Sequence, residues 1–157
     1  MRVLILMSDT GGGHRSAAQA VAQALHHQAG DAVQVSIADF LALSRFPLDR
    51  SATGYSVVIH YPRLWRVLFR VADRPLLPRL ISGPPGSLVR RGIKRAVLST
   101  NPDVVVSVHP LATVSVSDTL RRLGRPLPFV VVVTDMVSIH VAWAAPQATA
   151  CAVATPE

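Results

Sequence analysis

Residues 2–39 hold an apolar run, a glycine loop, a helical pattern and a second apolar run, and this order constrains the fold most. Residues 2–7 are continuous and apolar, which predicts a buried strand. Apolar residues then recur at three- and four-residue steps over 14–29, which predicts a helix that ends at Gly30. Residues 32–37 alternate and predict a second strand. Such a strand–helix–strand unit folds as a right-handed crossover in a parallel sheet.

The second half of the chain repeats this alternation. Strands are predicted at residues 103–108, 129–133 and 150–154, and a helix at 111–123 that is closed by Gly124. Near-continuous apolar strands that alternate with helices predict a Rossmann-like α/β fold, with a parallel sheet and helices on both faces. The 157 residues, 50% hydrophobic and 16% charged, suit one globular domain and exclude disorder.

Residues 41–99 interrupt the alternation and hold most of the excess positive charge. Of the 16 Lys and Arg residues, nine fall within 63–95, where Asp73 is the only acid, and the formal net charge of the chain is +7. Aromatic residues and Leu interleave with Arg over 63–74, and a basic helix is predicted around 89–98. We interpret the segment as a helical insert in a single domain. Charge concentrated in this way predicts an anionic partner, either nucleic acid or anionic lipid.

Composition excludes several classes of protein. Cys151 is the only cysteine, which excludes a disulfide scaffold and a zinc cluster built on cysteines. The longest apolar runs, such as 3–7 and 129–133, have about five residues, whereas a membrane-spanning helix needs about 20. Residues 2–10 lack the apolar core and cleavage site of a signal peptide, so we expect a cytoplasmic protein.

The loop between the first strand and the first helix is a candidate binding site. It lies at the carboxyl end of a parallel strand, where ligands bind in such sheets. Glycines let a ligand approach the backbone, and the helix start offers free N–H groups to an anion. The loop lacks the Walker A lysine and the GxGxxG spacing of dinucleotide sites, although Asp39 ends the second strand. A tight strand-to-helix turn is the alternative. The loop residues are Ser8, Asp9, Thr10, Gly11, Gly12 and Gly13.

His14 stands in the first turn of the predicted helix, where a core role is unfavourable. The positive end of the helix dipole disfavours another positive charge, so we expect a lowered pKa and a neutral imidazole. A neutral imidazole can act as a general base or orient a substrate.

Polar residues also follow the third and fourth predicted strands. Because parallel strands end at the same edge of a sheet, these residues are expected to face one cleft together with His14. Singly, Asp135 could be a cap and His109 a loop histidine with its hydrogen bonds satisfied. The spacing of the histidines sets no metal geometry, and we expect no metal site. The residues are Ser107, His109, Pro110, Thr134, Asp135, His140 and Trp143.

The run SDTGGGHRSAA at residues 8–18 resembles the N-terminal signature of the monogalactosyldiacylglycerol synthase family. These are GT-B glycosyltransferases, related to the processive diacylglycerol glucosyltransferases. Three later segments are similar to family segments in the same order, namely HYPRLW at 60–65, SVHPL at 107–111 and the stretch 134–143. In the last of these, valine follows the histidine where the family usually has proline.

The resemblance implies the N-terminal half of a GT-B fold, which takes the lipid acceptor while a C-terminal domain binds the nucleotide sugar. By the same resemblance, we expect these 157 residues to correspond to the first domain only. We therefore expect the second in cis or in trans, and no turnover by this chain alone. The implied reaction is inverting transfer of a hexose from a nucleotide-sugar co-substrate to a diacylglycerol-type hydroxyl, without a cofactor. The implied location is the cytoplasmic face of the membrane, with no nucleic acid as partner. The alternative is a non-catalytic Rossmann-like module that binds a nucleotide or nucleic acid.

The resemblance also implies roles for single residues. His14 would be the general base for the acceptor hydroxyl, and Asp135 a second candidate base or the group that orients His14. The loop residues 8–13 would approach the acceptor or the donor diphosphate, and His109, Pro110, His140 and Trp143 would line the cleft. Basic and aromatic residues of the insert would contact anionic lipid, although a core-packing helix with a solvated Arg face is the alternative. That set is Arg63, Trp65, Arg66, Phe69, Arg70, Arg74, Arg90, Arg91, Lys94 and Arg95.

Overall fold

The computed structural model contains a five-stranded, wholly parallel sheet with helices on both faces, which confirms the predicted Rossmann-like α/β class. The residues that the structure describes are 1–10, 12–45, 48–50, 61, 84–135, 139 and 141–154. The strands are β1 (Arg2–Met7), β2 (Gln34–Asp39), β3 (Val104–Ser107), β4 (Phe129–Val132) and β5 (Ala150–Ala152). The helices are α1 (Gly13–Ala29), α2 (Pro84–Thr100) and α3 (Pro110–Arg122). Short 3-10 turns occupy Gly30–Ala32, Leu48–Arg50 and Val141–Trp143.

Strand β1 lies inside the sheet, between β2 and β3, and both of its faces are buried. Leu4 and Leu6 pack with α2 and α3 on one face, and Ile5 packs with α1 on the other. All three side chains are fully buried. A strand covered on both sides has apolar residues at every position rather than at alternate ones. The continuous apolar run in the sequence has this cause.

Helix α1 starts and stops at glycines in the left-handed region of backbone space. Gly12 is its N-cap with φ of +79°, and Gly30 is its C-cap with φ of +51°. Side chains with a Cβ rarely adopt such angles, so these glycines fix the ends of the helix. The predicted helix is therefore confirmed almost to the residue. Strand β2 differs slightly, because it runs from Gln34 to Asp39 rather than over 32–37.

Helix α2 is longer than predicted and belongs to the core. It begins at Pro84, because the first turn of a helix needs no N–H donor and tolerates proline. Ile93 and Val97 are fully buried against the sheet. This part of the predicted insert is thus a crossover layer of the domain and not an excursion from it. Residues 46–47, 51–60 and 62–83 of the insert lie outside the described residues.

The strand order β2-β1-β3-β4-β5 places a switch point beside β1. After β1 the chain crosses to β2 on one side, and after β2 it returns to β3 on the other side of β1. Connections that diverge in this way leave a crevice at the carboxyl ends of the two strands, where ligands bind in open α/β sheets. Within the described ranges, no helix is long and apolar enough to span a membrane.

Candidate functional site

Three connections at the carboxyl edge of the sheet bring predicted polar residues together at or beside one cavity. The connection after β1 leads into His14 in the first turn of α1, and the loops after β3 and β4 carry His109 and Asp135. The cavity has a volume of about 570 Å³ and opens between α1 and the end of β4. Its lining consists of Thr10, Gly13, His14, Ala17, Ala20, Val21, Val132, Val133, Thr134 and Asp135.

The protonation state of His14 follows from its main-chain partner. Its Nδ1 lies 2.8 Å from the carbonyl oxygen of Val108, which can only accept a hydrogen bond. Nδ1 therefore carries the proton, and a neutral His14 has its free lone pair on Nε2. The hydroxyl of Thr134 lies 3.4 Å from the same Nδ1. Nε2 has no hydrogen-bond partner among the residues that the structure describes.

The pKa of His14 lies below its usual value, as expected, but chiefly for another reason than the helix dipole. Burial is the largest cause, because it penalises the charged imidazolium. The carbonyl of Val108 and the negative charge of Asp135 act in the opposite direction and raise the pKa of His14. The net result is an imidazole that is neutral at neutral pH.

His109 is a buried helix cap that packs against His14. The two ring centroids lie 4.3 Å apart, and the edge of the Phe40 ring contacts His109 from another side. Nδ1 of His109 accepts the backbone N–H of Leu111 at 3.1 Å, at the start of α3, so its proton sits on Nε2. Burial, with a contribution from His14, lowers the pKa of His109 to about 3. His109 thus caps α3 and lies next to the cavity without lining it.

Two buried hydroxyls fix the turn that holds His109. Ser107 donates to the carbonyl of His109 at 3.0 Å, and the hydroxyl of Thr113 lies 2.9 Å from that of Ser107 and 3.1 Å from the same carbonyl. Since all three residues are buried, these bonds are not in exchange with water. The sequence analysis missed Thr113, whose only signal is a polar residue on the inner face of α3.

Asp135 lies on the cavity wall and is held by Trp143. The indole Nε1 of Trp143 donates to Oδ2 of Asp135 at 2.7 Å. Trp143 itself is only 4% exposed and packs in the core. This differs from the prediction that Trp143 lines an open cleft. Its polar edge reaches the site while its rings do not. Gly11 and His140 lie outside the described residues.

The loop after β1 is tied down by its own side chains. The hydroxyls of Ser8 and Thr10 lie 3.2 Å apart, and Ser8 is almost fully buried. Asp9 forms an ion pair with Arg15 in the first turns of α1. The loop is therefore pre-formed on its strand side, and its glycines face open space where a Cβ would meet nothing at Gly12 or Gly13.

Asp39 supports this loop from the neighbouring strand. Its Oδ1 accepts the backbone N–H groups of Leu41 and Ala42 at 2.9 and 3.0 Å, and its Oδ2 accepts that of Asp9 at 3.1 Å. These three bonds occupy most of the acceptor capacity of the carboxylate. Asp39 is thus committed to the backbone rather than free for a ribose, which counts against the dinucleotide interpretation.

The predicted lipid-contacting residues of α2 separate into two kinds. Arg90 is 14% exposed and lies 3.6 Å from Asp118 of α3, and Arg95 donates to the carbonyls of Leu43 and Ser44. Arg91 and Lys94 are exposed. The others, Arg63, Trp65, Arg66, Phe69, Arg70 and Arg74, lie outside the described residues.

A larger cavity, of about 750 Å³, lies at the opposite end of β4. It is bounded by the end of α3 and by residues 124–129, and none of the edge histidines lines it. Within the part of the chain that the structure describes, no three His, Cys, Asp or Glu side chains gather to hold a metal ion. The combination of titratable groups and polar strand ends therefore favours the smaller cavity as the site.

Comparison with known proteins agrees with this geometry. The family model for monogalactosyldiacylglycerol (MGDG) synthase matches residues 14–157. A probable monogalactosyldiacylglycerol synthase 2, chloroplastic, of Oryza sativa subsp. japonica is 34% identical over 152 residues, which cover 95% of this chain and 32% of the relative. Monogalactosyldiacylglycerol synthase 1, chloroplastic, of Arabidopsis thaliana is 30% identical over 153 residues, or 96% of this chain and 29% of the relative.

A probable monogalactosyldiacylglycerol synthase, chloroplastic, of Glycine max is 31% identical over 153 residues, again 96% of this chain and 29% of the relative. The chain thus spans about three-tenths of the length of the curated relatives that it matches. The family match begins at His14 and continues to the last residue. Because this match covers most of a chain whose parallel Rossmann-like sheet the resemblance implied, the chain belongs to the monogalactosyldiacylglycerol synthase family of glycosyltransferases.

Proposed function

We propose that this chain is the acceptor-binding half of an inverting glycosyltransferase that moves a hexose from a nucleotide sugar to a diacylglycerol-type hydroxyl. The family match and the names of the relatives support the reaction class. The nucleotide sugar would be held mainly by a C-terminal GT-B domain, in cis or in trans, and this chain alone would not turn over. The enzyme would work as a peripheral protein at the cytoplasmic face of a membrane.

The observation that carries the proposal is the fixed tautomer of His14. Because Nδ1 is committed to the carbonyl of Val108, the basic lone pair is on Nε2 of a ring that lines the cavity. Burial keeps the pKa of this ring low, so it is deprotonated before the acceptor arrives. A base must be in that state to accept a proton.

The proposed chemical step needs only this base. Nε2 of His14 takes the proton of the acceptor hydroxyl while the hydroxyl oxygen forms a bond to the anomeric carbon. The bond from that carbon to the diphosphate breaks, and the nucleoside diphosphate leaves with the electron pair. The anomeric carbon is inverted because attack comes from the face opposite the leaving group. The carboxylate of Asp135 would stabilise the imidazolium formed.

The walls of the cavity suit an alcohol that is attached to an apolar body. His14, Thr134 and Asp135 supply the polar groups. Much of the remaining lining is apolar and comes from α1, including Ala17 and Val21, and from Val132 of β4. Small-molecule sites commonly combine an apolar wall with a few polar groups that orient the ligand.

The first prediction is that His14→Gln abolishes transfer without unfolding the domain. We would measure hexose transfer to diacylglycerol in mixed micelles by a chimera in which this chain replaces the aligned part of the Arabidopsis thaliana relative. General-base catalysis contributes about 10²- to 10⁴-fold, so kcat should fall by that factor.

His26→Gln is the matched control, because His26 is an exposed histidine in the last turn of the same helix. It should leave kcat within about twofold of the unchanged chimera. Near-normal turnover in His14→Gln would remove His14 as the base. If Asp135→Asn then proved inactive, the role would pass to Asp135.

A further inference from the structure

Trp143 has an anchored ring and a polar edge that reaches the cavity. It ends the 3-10 turn Val141–Trp143 and packs in the same core cluster as the inner face of α3. With 4% of its surface exposed, its ring has no freedom to turn away. The direction of its indole N–H is therefore set by the core and not by the loop.

The partner of this N–H is unusual for a buried tryptophan in one respect. A buried indole N–H needs an acceptor, which any backbone carbonyl could provide. Here the acceptor is the carboxylate of Asp135, at 2.7 Å and eight residues earlier in the chain. A hydrogen bond to an ionised group is about twice as strong as one between neutral groups. Phenylalanine would fill most of the same core space but could not hold the carboxylate.

The charge of Asp135 acts on His14 across the cavity. It raises the pKa of His14, in opposition to burial. The other groups near His14 add little charge, since His109 is neutral and Asp9 pairs with Arg15. Oδ1 of Asp135 has no partner among the described residues, so Trp143 is the side chain that determines where this charge lies.

We propose that Trp143 is a positioning residue, which fixes the Asp135 carboxylate beside His14 so that its charge favours the imidazolium formed on proton transfer. The catalytic meaning of this arrangement rests on the proposed function. The arrangement itself does not, because it concerns groups within this chain.

The test is an NMR titration of His14 in the full chain, which requires no activity. In Trp143→Phe the carboxylate is released toward water, so the pKa of His14 should fall by about half a pH unit, as expected for one charge moved away at a partly buried site. In Asp135→Asn the pKa should fall at least as far. In the double variant there should be no further fall, because Trp143 acts only through Asp135.

Phe129→Leu is the packing control, because Phe129 is buried in the same cluster but lies at the far end of β4. It should leave the pKa of His14 unchanged. The proposal is overturned if Trp143→Phe leaves the pKa unchanged, or if its effect persists in the Asp135→Asn background. A rise would also overturn it, since the indole would then be holding the carboxylate away from His14.

If Trp143→Phe does not fold, the indole N–H signal of Trp143 itself provides a second measurement. The chain has two tryptophans, and therefore two indole N–H signals. Asp135→Asn should shift one of them, which Trp65→Phe would assign by elimination, and two unmoved signals would overturn the proposal. Failure of the proposed function is separate, because it would appear as transfer that survives His14→Gln in the chimera whatever the titration shows.

Discussion

At the scale of single residues, His14 and His109 share one environment but hold their protons on different nitrogens. Their rings are in contact at 4.3 Å, and burial lowers the pKa of each. Nδ1–H of His14 donates a hydrogen bond to a carbonyl, whereas Nδ1 of His109 accepts a hydrogen bond from a backbone N–H. One ring thus presents a base, and the other serves as a cap that stays neutral beside it.

The burial of His109 predicts how stability depends on pH. Its pKa is about 3 in the folded chain, against 6.5 without perturbation. Between pH 3 and 6.5 the unfolded chain binds more protons at this residue than the folded chain does. The contribution of His109 to the free energy of unfolding is therefore full above pH 6.5 and declines as the pH falls toward 3. The slope from this residue approaches about 1.4 kcal/mol per pH unit. Urea unfolding at pH 7, 5.5 and 4.5 would measure it.

His109→Asn removes the titrating imidazole but keeps a side chain that can cap α3. Asparagine is a favourable N-cap, and its side-chain oxygen can accept the N–H of Leu111 in place of Nδ1. The variant should therefore lose less stability than the unsubstituted chain on going from pH 7 to 4.5. Carboxyl groups contribute equally to both proteins, so they cancel in the comparison. Identical slopes would show that His109 does not resist protonation in the folded chain.

At the scale of secondary-structure elements, helix α2 is fixed by a close approach to the turn after β2. A Cβ placed on Gly92 would lie 1.8 Å from the carbonyl oxygen of Phe40 and 2.6 Å from the hydroxyl of Ser44. Ser44 itself donates to that carbonyl at 2.8 Å. Only glycine allows the helix to approach the backbone so closely.

Gly92→Ala should consequently destabilise the fold strongly. The added methyl group meets backbone that cannot rotate aside, so we expect a loss of about 3 kcal/mol or more. The matched control is Gly13→Ala, where a Cβ meets nothing within 4 Å and φ is not positive. That change should be neutral or slightly stabilising, because alanine is the better helix former. Equal midpoints of urea unfolding for the two variants would contradict the close approach.

Most elements could be predicted because their signals are local. The ends of α1 follow from Gly12 and Gly30, and β1 follows from its apolar run. The start of α2 was misplaced because prolines interrupt most helices but are accepted in a first turn. Local patterns also do not reveal that this helix covers the sheet, since that depends on the contact between Gly92 and the turn after β2.

The sequence predicts which edge of the sheet carries the candidate site, but not the hydrogen bonds between the side chains there. Parallel topology alone brings His14 and Asp135 together, since both follow strands of one sheet. The burial of Trp143 and the commitment of Asp39 to backbone N–H groups depend on packing between distant segments. No spacing in the sequence encodes those directions, so their roles could be assigned only from the structure.

At the scale of the whole molecule, the exposed cations of α2 offer a test of membrane association. Arg91 and Lys94 are exposed, whereas Arg121 and Arg122 on α3 pair with Asp118. Each cation that faces an anionic surface contributes about 1 kcal/mol at low salt. Arg91→Gln with Lys94→Gln should therefore weaken sedimentation with anionic vesicles by about thirtyfold.

Arg121→Gln with Arg122→Gln is the charge-matched control for this experiment. It removes the same two charges, but from α3, where both cations pair with Asp118 and part of their charge is already offset. Its loss of vesicle binding should be several times smaller. Equal losses would indicate that net charge, rather than the face of α2, drives association. Equal binding of the unsubstituted chain to neutral and anionic vesicles would reject electrostatic association altogether.

The partner that fixes the tautomer of His14 is a main-chain atom, and this makes the arrangement tolerant of sequence change. The carbonyl of Val108 is present whatever side chain residue 108 carries, and its position follows from the bond between the Val108 N–H and the Leu6 carbonyl, at 3.1 Å. Substitutions at 108 that keep this pairing of strands leave the proton of His14 in place. The proton can therefore stay on Nδ1 of His14 while residue 108 changes, as long as the pairing of the strands is kept.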